Sequence, residues 1–368
     1  MKWVLAVLLV VHGLIHLMGF AKAFGLGRTL PLQQPISRPV GLLWLLAAVL
    51  FVTSALLLLA AARWWWVPAA PAVLVSQALV FTAWSDAKFG TVANVITLVP
   101  LVVSLMEYSE SSFRSIYRRE VVAGLSRPAA AAQPITPSDL APLPAPVRRY
   151  LEYVGVVGKD RVHGFRARFR GEIRSKPDAG WMPFEADQTS FFDPPARLFL
   201  IRSSMAGIPF DALHLYVGPN ATMQVKIASL LQIVDARGPE MNQSETVTVF
   251  NDMCVLAPAT LVDRAIRWEE LDDRTARATY SNAGNTISAV LRFDDEGRLV
   301  DFHSDDRYQS ADGKTYVKYR WSTPLRDYRD FGDHRLARAG EAIWQMPDGP
   351  LTYGRFELVE LEYNLKQE

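Results

Sequence analysis

Four apolar runs crowd the first third of the chain and constrain its fold more than any other feature. They cover Trp3–Phe20, Val40–Ala62, Trp64–Trp84 and Gly90–Met106. Each run is close to the roughly 20 residues that an α-helix needs to cross the hydrocarbon core of a bilayer. Helices suit this medium because every backbone polar group must be satisfied within the protein. The sequence therefore predicts an all-α transmembrane four-helix region over residues 1–106, in a multi-pass integral membrane protein.

The first apolar run has a second interpretation, a secretory signal peptide. Lys2 precedes it, and the Ala-Lys-Ala sequence at residues 21–23 is similar to a cleavage site. The run is long for a signal peptide and further spans follow it, which favours a retained membrane helix. Lys and Arg flank the four runs in nearly equal number on the two sides, so both orientations of the soluble part stay open.

Polar side chains are rare in this region, and four of them are candidate intramembrane polar residues. They are His12, His16, Asp86 and Asn94. A polar or ionisable group at membrane depth is costly and is a functional hypothesis by default. His12 and His16 share one helix face, and no second helix offers a histidine, which favours neutral imidazoles hydrogen-bonded across the bundle. A proton or quinone role and a metal site are the alternatives. Asp86 lies in a turn, where Lys88 is its expected partner.

A segment rich in Pro and Ala separates the apolar third from the rest of the chain. It runs from Arg127 to Pro146, and such a composition is typical of an extended, solvated spacer. Just before it, the stretch from Phe113 to Leu125 carries three arginines among apolar residues. This stretch fits either an interfacial helix on anionic headgroups or a solvated helix that continues the fourth run. We therefore predict a juxtamembrane helix and linker over 107–146 and a soluble domain over 147–368.

Alternation of apolar and polar residues dominates the sequence after Val147. In "NTISAVLRF", residues 285–293, the apolar side chains share one face, and Gly297 then supplies a turn. Many such runs with short connections predict an α+β domain built on a large curved antiparallel sheet or open half-barrel. One helical stretch, which we expect to begin at a capping box of Asn242 and Glu245, interrupts the strands. As an inserted lid over the sheet, it would enclose an apolar pocket.

Composition and motifs exclude several functional classes. The 39 Lys and Arg residues nearly balance the 38 Asp and Glu residues, which is unlike a nucleic-acid-binding protein. Cys254 is the only cysteine, so neither an intrachain disulfide nor a thiolate metal cluster can form. The soluble part contains no nucleophile elbow, phosphate loop, dinucleotide fingerprint or zinc-binding histidine pair. We predict no cofactor and no metal, and the sequence favours a protein that is not an enzyme.

Seven residues of the soluble part are candidates for ligand binding. They are Trp181, Glu185, Asp305, Arg307, Tyr308, Trp321 and Trp344. The tryptophans would line an apolar cavity, and plain core positions are the alternative. Glu185 and Asp187 share one strand face, as an acid and base pair would require. Asp305 and Asp306 are adjacent and point to opposite faces, which favours ion pairs over a catalytic dyad.

Several motifs resemble an uncharacterised family of bacterial proteins that carry a domain of unknown function. They are "LPAPVRRYL", "WMPFEADQ", "ETVTVFNDMCVLAPATLVD", "SDDRY", "WSTP", "GEAIW" and "EYN", which cover most of residues 143–364. The patterns "HGLIHLMGFAKAFG" and "WSDAKFG" resemble the membrane region of some members. This resemblance implies a bacterial inner-membrane protein and no established activity. More loosely, the soluble part is similar to the half-barrels of lipoprotein carriers and related lipid-binding periplasmic proteins.

Together these observations predict a membrane-anchored protein whose β-rich domain binds a lipid or another hydrophobic ligand. The expected partners are membrane lipids, a hydrophobic small molecule and another membrane protein, and no nucleic acid. One alternative is an enzyme that acts on a membrane-derived substrate through Glu185 with Asp305 or Asp306. That alternative requires these carboxyl groups to converge in one pocket. The other alternative is a structural or regulatory subunit of a membrane complex.

Overall fold

The computed structural model describes residues 2–26, 32–127 and 133–366. It divides into two compact units, Met1–Ser109 and Glu110–Glu368. The first unit is helical, and the second is built mainly from β-strands. The predicted fold class, with apolar helices in the N-terminal part and a β-rich C-terminal part, is therefore confirmed.

Five helices make up the described part of the first unit. They are α1 (Lys2–Ala23), α2 (Arg38–Leu59), α3 (Trp66–Thr82), α4 (Trp84–Ala87) and α5 (Gly90–Glu107). Three of them, α1, α2 and α5, are long and apolar enough to cross a membrane. The α3 helix is also apolar but has only 17 residues, which rise about 26 Å against a bilayer core of roughly 30 Å. The first unit therefore has the character of a membrane anchor, with one helix shorter than predicted.

The segment that the sequence suggested as a juxtamembrane helix and spacer belongs to the second unit. Its helices are α6 (Phe113–Leu125), α7 (Pro137–Leu140) and α8 (Ala145–Val154). Phe113 of α6 packs with Leu200 and Leu213 of the sheet, which neither earlier interpretation of this helix included.

Ile135 and Leu140 are buried in the domain core, so a solvated spacer is wrong for residues 133–146. Residues 128–132 of the predicted spacer lie outside the described residues. Composition indicated neither the short helix α7 nor the core against which Ile135 and Leu140 pack.

A large antiparallel sheet forms the body of the second unit and confirms the predicted fold class. Its strands are β1 (Gly164–Ile173), β2 (Met182–Phe192), β3 (Pro195–Met205), β4 (Ile208–Val217), β5 (Asn220–Ile227), β6 (Leu231–Ala236), β7 (Arg267–Asp272), β8 (Thr275–Asn282), β9 (Asn285–Phe293), β10 (Leu299–Ser304), β13 (Arg320–Ser322), β14 (Leu325–Phe331), β15 (His334–Met346) and β16 (Gly349–Tyr363), with β11 (Tyr308–Gln309) and β12 (Val317–Lys318) as a separate pair. Among the described residues the order is β6-β5-β4-β3-β2-β1-β16-β15-β13-β10-β9-β8-β7, with β14 paired to β15. The sheet is not closed, because β6 and β7 are its two edges. Gly297 has a φ of 85° in the turn before β10, as predicted.

One helix connects the two edge strands. This helix, α9 (Pro239–Val255), follows β6, and a single 3₁₀ turn at Pro258–Val262 leads on to β7. Phe250 of α9 is fully buried and packs on Tyr280 and Phe302 of the sheet, and such a ring contributes about 1.5–3 kcal/mol through burial. Twelve of the 17 residues of α9 are buried, so it is covered on nearly every side.

The predicted start of α9 is wrong. The helix begins at Pro239 after Gly238, and proline fits the first helical position because its missing N–H would have no partner there. Asn242 lies inside the first turns, where its Oδ1 accepts a hydrogen bond from the backbone N–H of Ala221 at 2.7 Å. Glu245 is fully buried and has a different role, described below.

Candidate functional site

A cavity of about 560 Å³ lies between the sheet and α9. Alternate residues of the strands face it, including Phe199 and Ile201 of β3, Ala212 of β4 and Val225 of β5. Residues 307–311, Tyr316 and residues of β13–β16 contribute further lining. Ligand pockets in proteins typically enclose roughly 300–1,000 Å³, so this space is of ligand size.

The lining of the cavity is mainly apolar and includes four methionines. They are Met182, Met205, Met223 and Met241. Methionine is unbranched and has a polarizable sulfur, so its side chain adapts to contacts of different shapes. This lining can accommodate flexible apolar groups without a single fixed geometry.

A buried ionic cluster forms part of the cavity wall. Arg197 of β3 donates from Nε to Oδ2 of Asp252 at 2.6 Å and from Nη1 to Oε2 of Glu245 at 3.2 Å. Gln188 of β2 donates to the same Asp252 oxygen at 2.6 Å. Nδ1 of His214 lies 3.5 Å from Oε1 of Glu245. Because the acids come from α9 and the other groups from the sheet, this ionic cluster fixes the helix over the strands.

The electrostatics of the ionic cluster keep Glu245 charged. Burial by itself would raise the pKa of Glu245, but Arg197, His214 and Arg307 outweigh burial and lower the pKa to about 2. Burial likewise opposes the charged form of Arg197, yet Asp252 and Glu245 raise its pKa. The pKa of His214 is lowered, chiefly by burial. At neutral pH the ionic cluster therefore contains a guanidinium, the Glu245 carboxylate and a neutral imidazole, whereas burial raises the pKa of Asp252 despite its contacts with Arg197 and Gln188.

Arg307 forms a second polar feature of the cavity, together with three aromatic side chains. Its guanidinium lies 4.2 Å from the ring centroid of Trp321 and 5.1 Å from that of Trp344. Nη1 of Arg307 donates to Oη of Tyr353 at 3.1 Å, and Nε1 of Trp321 donates to the same oxygen at 3.0 Å. The three aromatic residues, Trp321, Trp344 and Tyr353, thus hold the planar guanidinium of Arg307 in one orientation at the cavity wall.

Comparison with known proteins gives a family for this chain. A family model described as "Family of unknown function (DUF6544)" matches residues 133–356. The chain belongs to DUF6544. The matched stretch of the DUF6544 domain includes α9, the ionic cluster and the aromatic residues around Arg307. Membership in a family with a domain of unknown function, which the motifs indicated, is thereby confirmed.

Two solved structures are similar to part of the chain. A putative outer membrane lipoprotein-sorting protein domain from Vibrio parahaemolyticus is 10% identical, with 56% of this chain and 87% of that chain covered and a TM-score of 0.33. A DUF1329 family protein from Desulfovibrio piger is 13% identical, with 61% and 94% covered and a TM-score of 0.34. A comparison with curated proteins finds no match.

Four of the seven predicted ligand-binding residues line the cavity of the DUF6544 domain. They are Arg307, Tyr308, Trp321 and Trp344. The backbone N–H of Tyr308 donates to Oγ of Ser244 at 2.9 Å, which connects this wall to α9. The sequence pattern "SDDRY" therefore marks a segment that reaches the cavity, although its two acidic residues do not.

The other three predicted residues, Trp181, Glu185 and Asp305, are not part of the cavity lining. The guanidinium groups of Arg174 and Arg355 lie over the ring of Trp181, at 4.5 and 4.3 Å from its centroid. Glu185 is exposed on the outer face of the sheet, 4.0 Å from Arg202.

The carboxyl groups of the enzyme alternative do not converge. Asp305 makes a two-pronged ion pair with Arg320 at 2.8 and 2.9 Å, and Asp306 pairs with Lys318 at 3.0 Å. Among the described residues, neither these aspartates nor Glu185 and Asp187 line the cavity.

Sequence reasoning missed the ionic cluster, although one signal for it was available. Glu245 and Asp252 are seven residues apart and therefore share a face of α9. If a helix buries two acidic side chains against a sheet, a cation on the sheet is expected, because buried charges are normally paired. Arg197, at an inward strand position between apolar neighbours, is that cation.

The polar residues of the first unit form a separate network. Nε2 of His12 lies 3.0 Å from Oδ1 of Asn94 and 3.3 Å from Oγ of Ser76, and Nε2 of His16 lies 2.9 Å from the same Ser76 oxygen. This matches the hydrogen bonding across the bundle expected for the two histidines. No group of three or more metal-ligating side chains occurs in the described ranges.

The expected pairing of Asp86 with Lys88 is replaced by backbone contacts. Oδ2 of Asp86 accepts hydrogen bonds from the backbone N–H groups of Gln33 and Gln34, at 2.7 and 3.0 Å. These contacts lower the pKa of Asp86. Asp86 therefore fixes a connecting loop, where two donors in a fixed backbone outcompete one flexible ammonium group.

Proposed function

We propose that the DUF6544 domain binds a lipid or another hydrophobic ligand in its cavity, in a chain anchored to a membrane by its N-terminal helices. The observation that carries this proposal is the cavity of about 560 Å³ between the sheet and α9. Protein interiors are normally close-packed, with few voids larger than a water molecule. An apolar space of ligand size in an otherwise packed domain supports a binding role.

The composition of the lining supports an apolar tail with a polar head. Phe199, Ile201 and the four cavity methionines would remove the tail from water, at about 25 cal/mol for each Å² buried. The charged side chains of the lining are those of the ionic cluster, Arg307 beside its aromatic neighbours, and Arg174, Arg338 and Glu341. In such pockets a few polar groups fix the orientation of the ligand while apolar contacts supply most of the affinity.

Site-resolved photo-crosslinking tests this proposal in the full chain. The chain would be reconstituted in nanodiscs of zwitterionic lipid, and a neutral hexadecanol probe with a diazirine in its tail would be irradiated with it. We expect labelled peptides from β3–β5 and from α9. Mapping the labelled peptides separates cavity binding from the lipid contacts of the N-terminal helices.

Two variants of the cavity wall sharpen this test. Ala212→Trp would place a large ring in the cavity and should abolish labelling of β3–β5 and α9. Met223→Leu keeps the volume of an adjacent wall residue and should label like the wild type. Labelling that is confined to the N-terminal helices, or that survives Ala212→Trp unchanged, contradicts the proposal.

A further inference from the structure

The cavity wall contains an arginine whose hydrogen-bonding capacity is largely unused. Arg307 donates from Nη1 to Tyr353, and its buried Nε has no hydrogen-bond partner. No carboxylate lies within ion-pair distance of Arg307 anywhere in residues 2–26, 32–127 and 133–366. A guanidinium has five donors, so most of those on Arg307 remain for another acceptor.

The other arginines that line the cavity have acceptors of their own. Arg197 has Glu245 and Asp252, at 3.2 and 2.6 Å. Arg338 forms ion pairs with Asp327 and Glu357. Arg174 donates to the carbonyl oxygens of Thr352 and Pro177, at 2.8 and 2.7 Å. Arg307 is thus the cavity arginine with the fewest protein acceptors.

We propose that Arg307 binds the anionic head group of an amphipathic ligand, a carboxylate or a phosphate, whose apolar tail lies in the cavity. This inference rests on the proposed function and adds the chemical class of the ligand. The planar fork of a guanidinium matches two oxygens of either group and forms charge-assisted hydrogen bonds. Trp321 and Trp344 hold the fork in place before the ligand arrives, which lowers the entropic cost of binding.

The ionic cluster leaves Arg307 available for a ligand. Arg307 contributes to the lowered pKa of Glu245, so the two groups interact through space. Glu245 nevertheless bonds to Arg197 and lies next to His214, and it makes no hydrogen bond to Arg307. The Glu245 carboxylate also disfavours an anion at the cluster, where Arg197 already bonds to Glu245 and Asp252, and this leaves Arg307 as the place for an acidic head group.

Competition against the neutral hexadecanol probe tests this inference in the full chain in nanodiscs. The competitors are hexadecanoate, hexadecyl phosphate and unlabelled hexadecanol, at a mildly alkaline pH at which the carboxylic acid is ionised. In the wild type we expect at least one anion to displace the probe at a concentration about tenfold lower than hexadecanol does. The ratio of the two anions distinguishes a fatty-acid ligand from a phosphorylated one.

Three variants assign the preference to Arg307. Arg307→Gln should bring the anions and hexadecanol to equal potency while the neutral probe still labels the cavity. Arg202→Gln, a change at an arginine on the outer face of the sheet that pairs with Asp187, should keep the wild-type preference. Arg307→Lys retains the positive charge but loses the planar guanidinium, so it should reduce the preference for anions over hexadecanol. If Arg307→Gln does not fold, Arg307→Lys takes its place in the test.

The outcomes separate this inference from the proposed function. If the neutral probe labels the cavity but the wild type shows no anion preference, the inference about Arg307 is overturned and the proposed function stands. An anion preference that Arg307→Gln and Arg307→Lys both retain in full also overturns it. Absence of any cavity labelling by the neutral probe overturns the proposed function itself.

Discussion

Arg197 lies between two acidic side chains of α9, and its removal would leave Glu245 and Asp252 buried without their ion-pair partner. We expect Arg197→Ala to lower the free energy of unfolding by about 3–5 kcal/mol, because an uncompensated buried charge is strongly destabilising. Pulse proteolysis in urea, applied to the full chain in nanodiscs, measures the unfolded fraction of the domain.

The same strand provides a matched control for this variant. Arg202 of β3 faces outward and pairs with Asp187 at 2.7 Å, with both side chains about a third exposed. Arg202→Ala should change the free energy of unfolding by no more than about 1 kcal/mol, as exposed ion pairs do. Equal effects of the two substitutions would show that the ionic cluster does not hold α9 on the sheet.

His334 makes the stability of the domain depend on pH. Burial, with a smaller contribution from Lys159, lowers its pKa to about 4 from an ordinary value of 6.5. The unfolded chain therefore binds a proton more readily between these values, and stability falls as the pH falls from 6.5 towards 4. Protonation of His334 therefore lowers the free energy of unfolding by about 3 kcal/mol at most.

His334→Gln tests this linkage. The variant should show a smaller loss of stability than the wild type over the same pH range, measured by pulse proteolysis in urea. Parallel curves for the two proteins would mean that protonation of His334 does not contribute.

The contrast between Arg197 and Arg307 shows what residue patterns can predict. Arg307 was predicted because it adjoins Tyr308 at a strand end, in a local cluster of functional groups. The ion pairs of Arg197 join residues 55 and 48 positions apart, and strand alternation predicts which face a side chain takes but not its partner there.

At the scale of elements, β1 needs a residue without a side chain at one position. A Cβ on Gly171 would lie 2.0 Å from the carbonyl oxygen of Arg355 in β16 and 2.6 Å from the ring of Phe184 in β2. Gly171→Ala should therefore push β1 away from its neighbours and cost about 1–3 kcal/mol of unfolding free energy.

Gly180 provides the control, because a Cβ there would meet no atom within 4 Å. Gly180→Ala should stay within about 0.5 kcal/mol of the wild type. A Gly171→Ala variant as stable as the Gly180→Ala variant would contradict the pairing of β1 with β16.

Strands were easier to predict than the segments that cover them. The alternation in residues 285–293 reflects one buried and one open face, and β9 forms there as predicted. The start of α9 was not predicted, because Asn242 and Glu245 have the spacing of a cap but are needed inside the helix. The packing of Ile135, Leu140 and Leu143 into the core was not predicted either, since a composition rich in Pro and Ala does not show whether a segment packs.

At the scale of the whole molecule, the chain combines a helical unit suited to a membrane with a DUF6544 domain that contains a cavity. The sheet is not closed, and α9 runs between its edge strands, so the domain has a covered space without a complete barrel. The apolar runs predicted the helical unit, the alternation of apolar and polar residues predicted the sheet, and one helical stretch predicted the inserted helix. The volume of the cavity depends on the packing of many side chains, which no local pattern describes.

An experimental density map of the full chain isolated from its native membrane tests the central claim most directly. We predict continuous elongated density in the cavity, between the inner face of β3–β5 and α9, with its polar end at Arg307. A map in which Met223, Met241 and their neighbours close on one another and fill the space would contradict the claim.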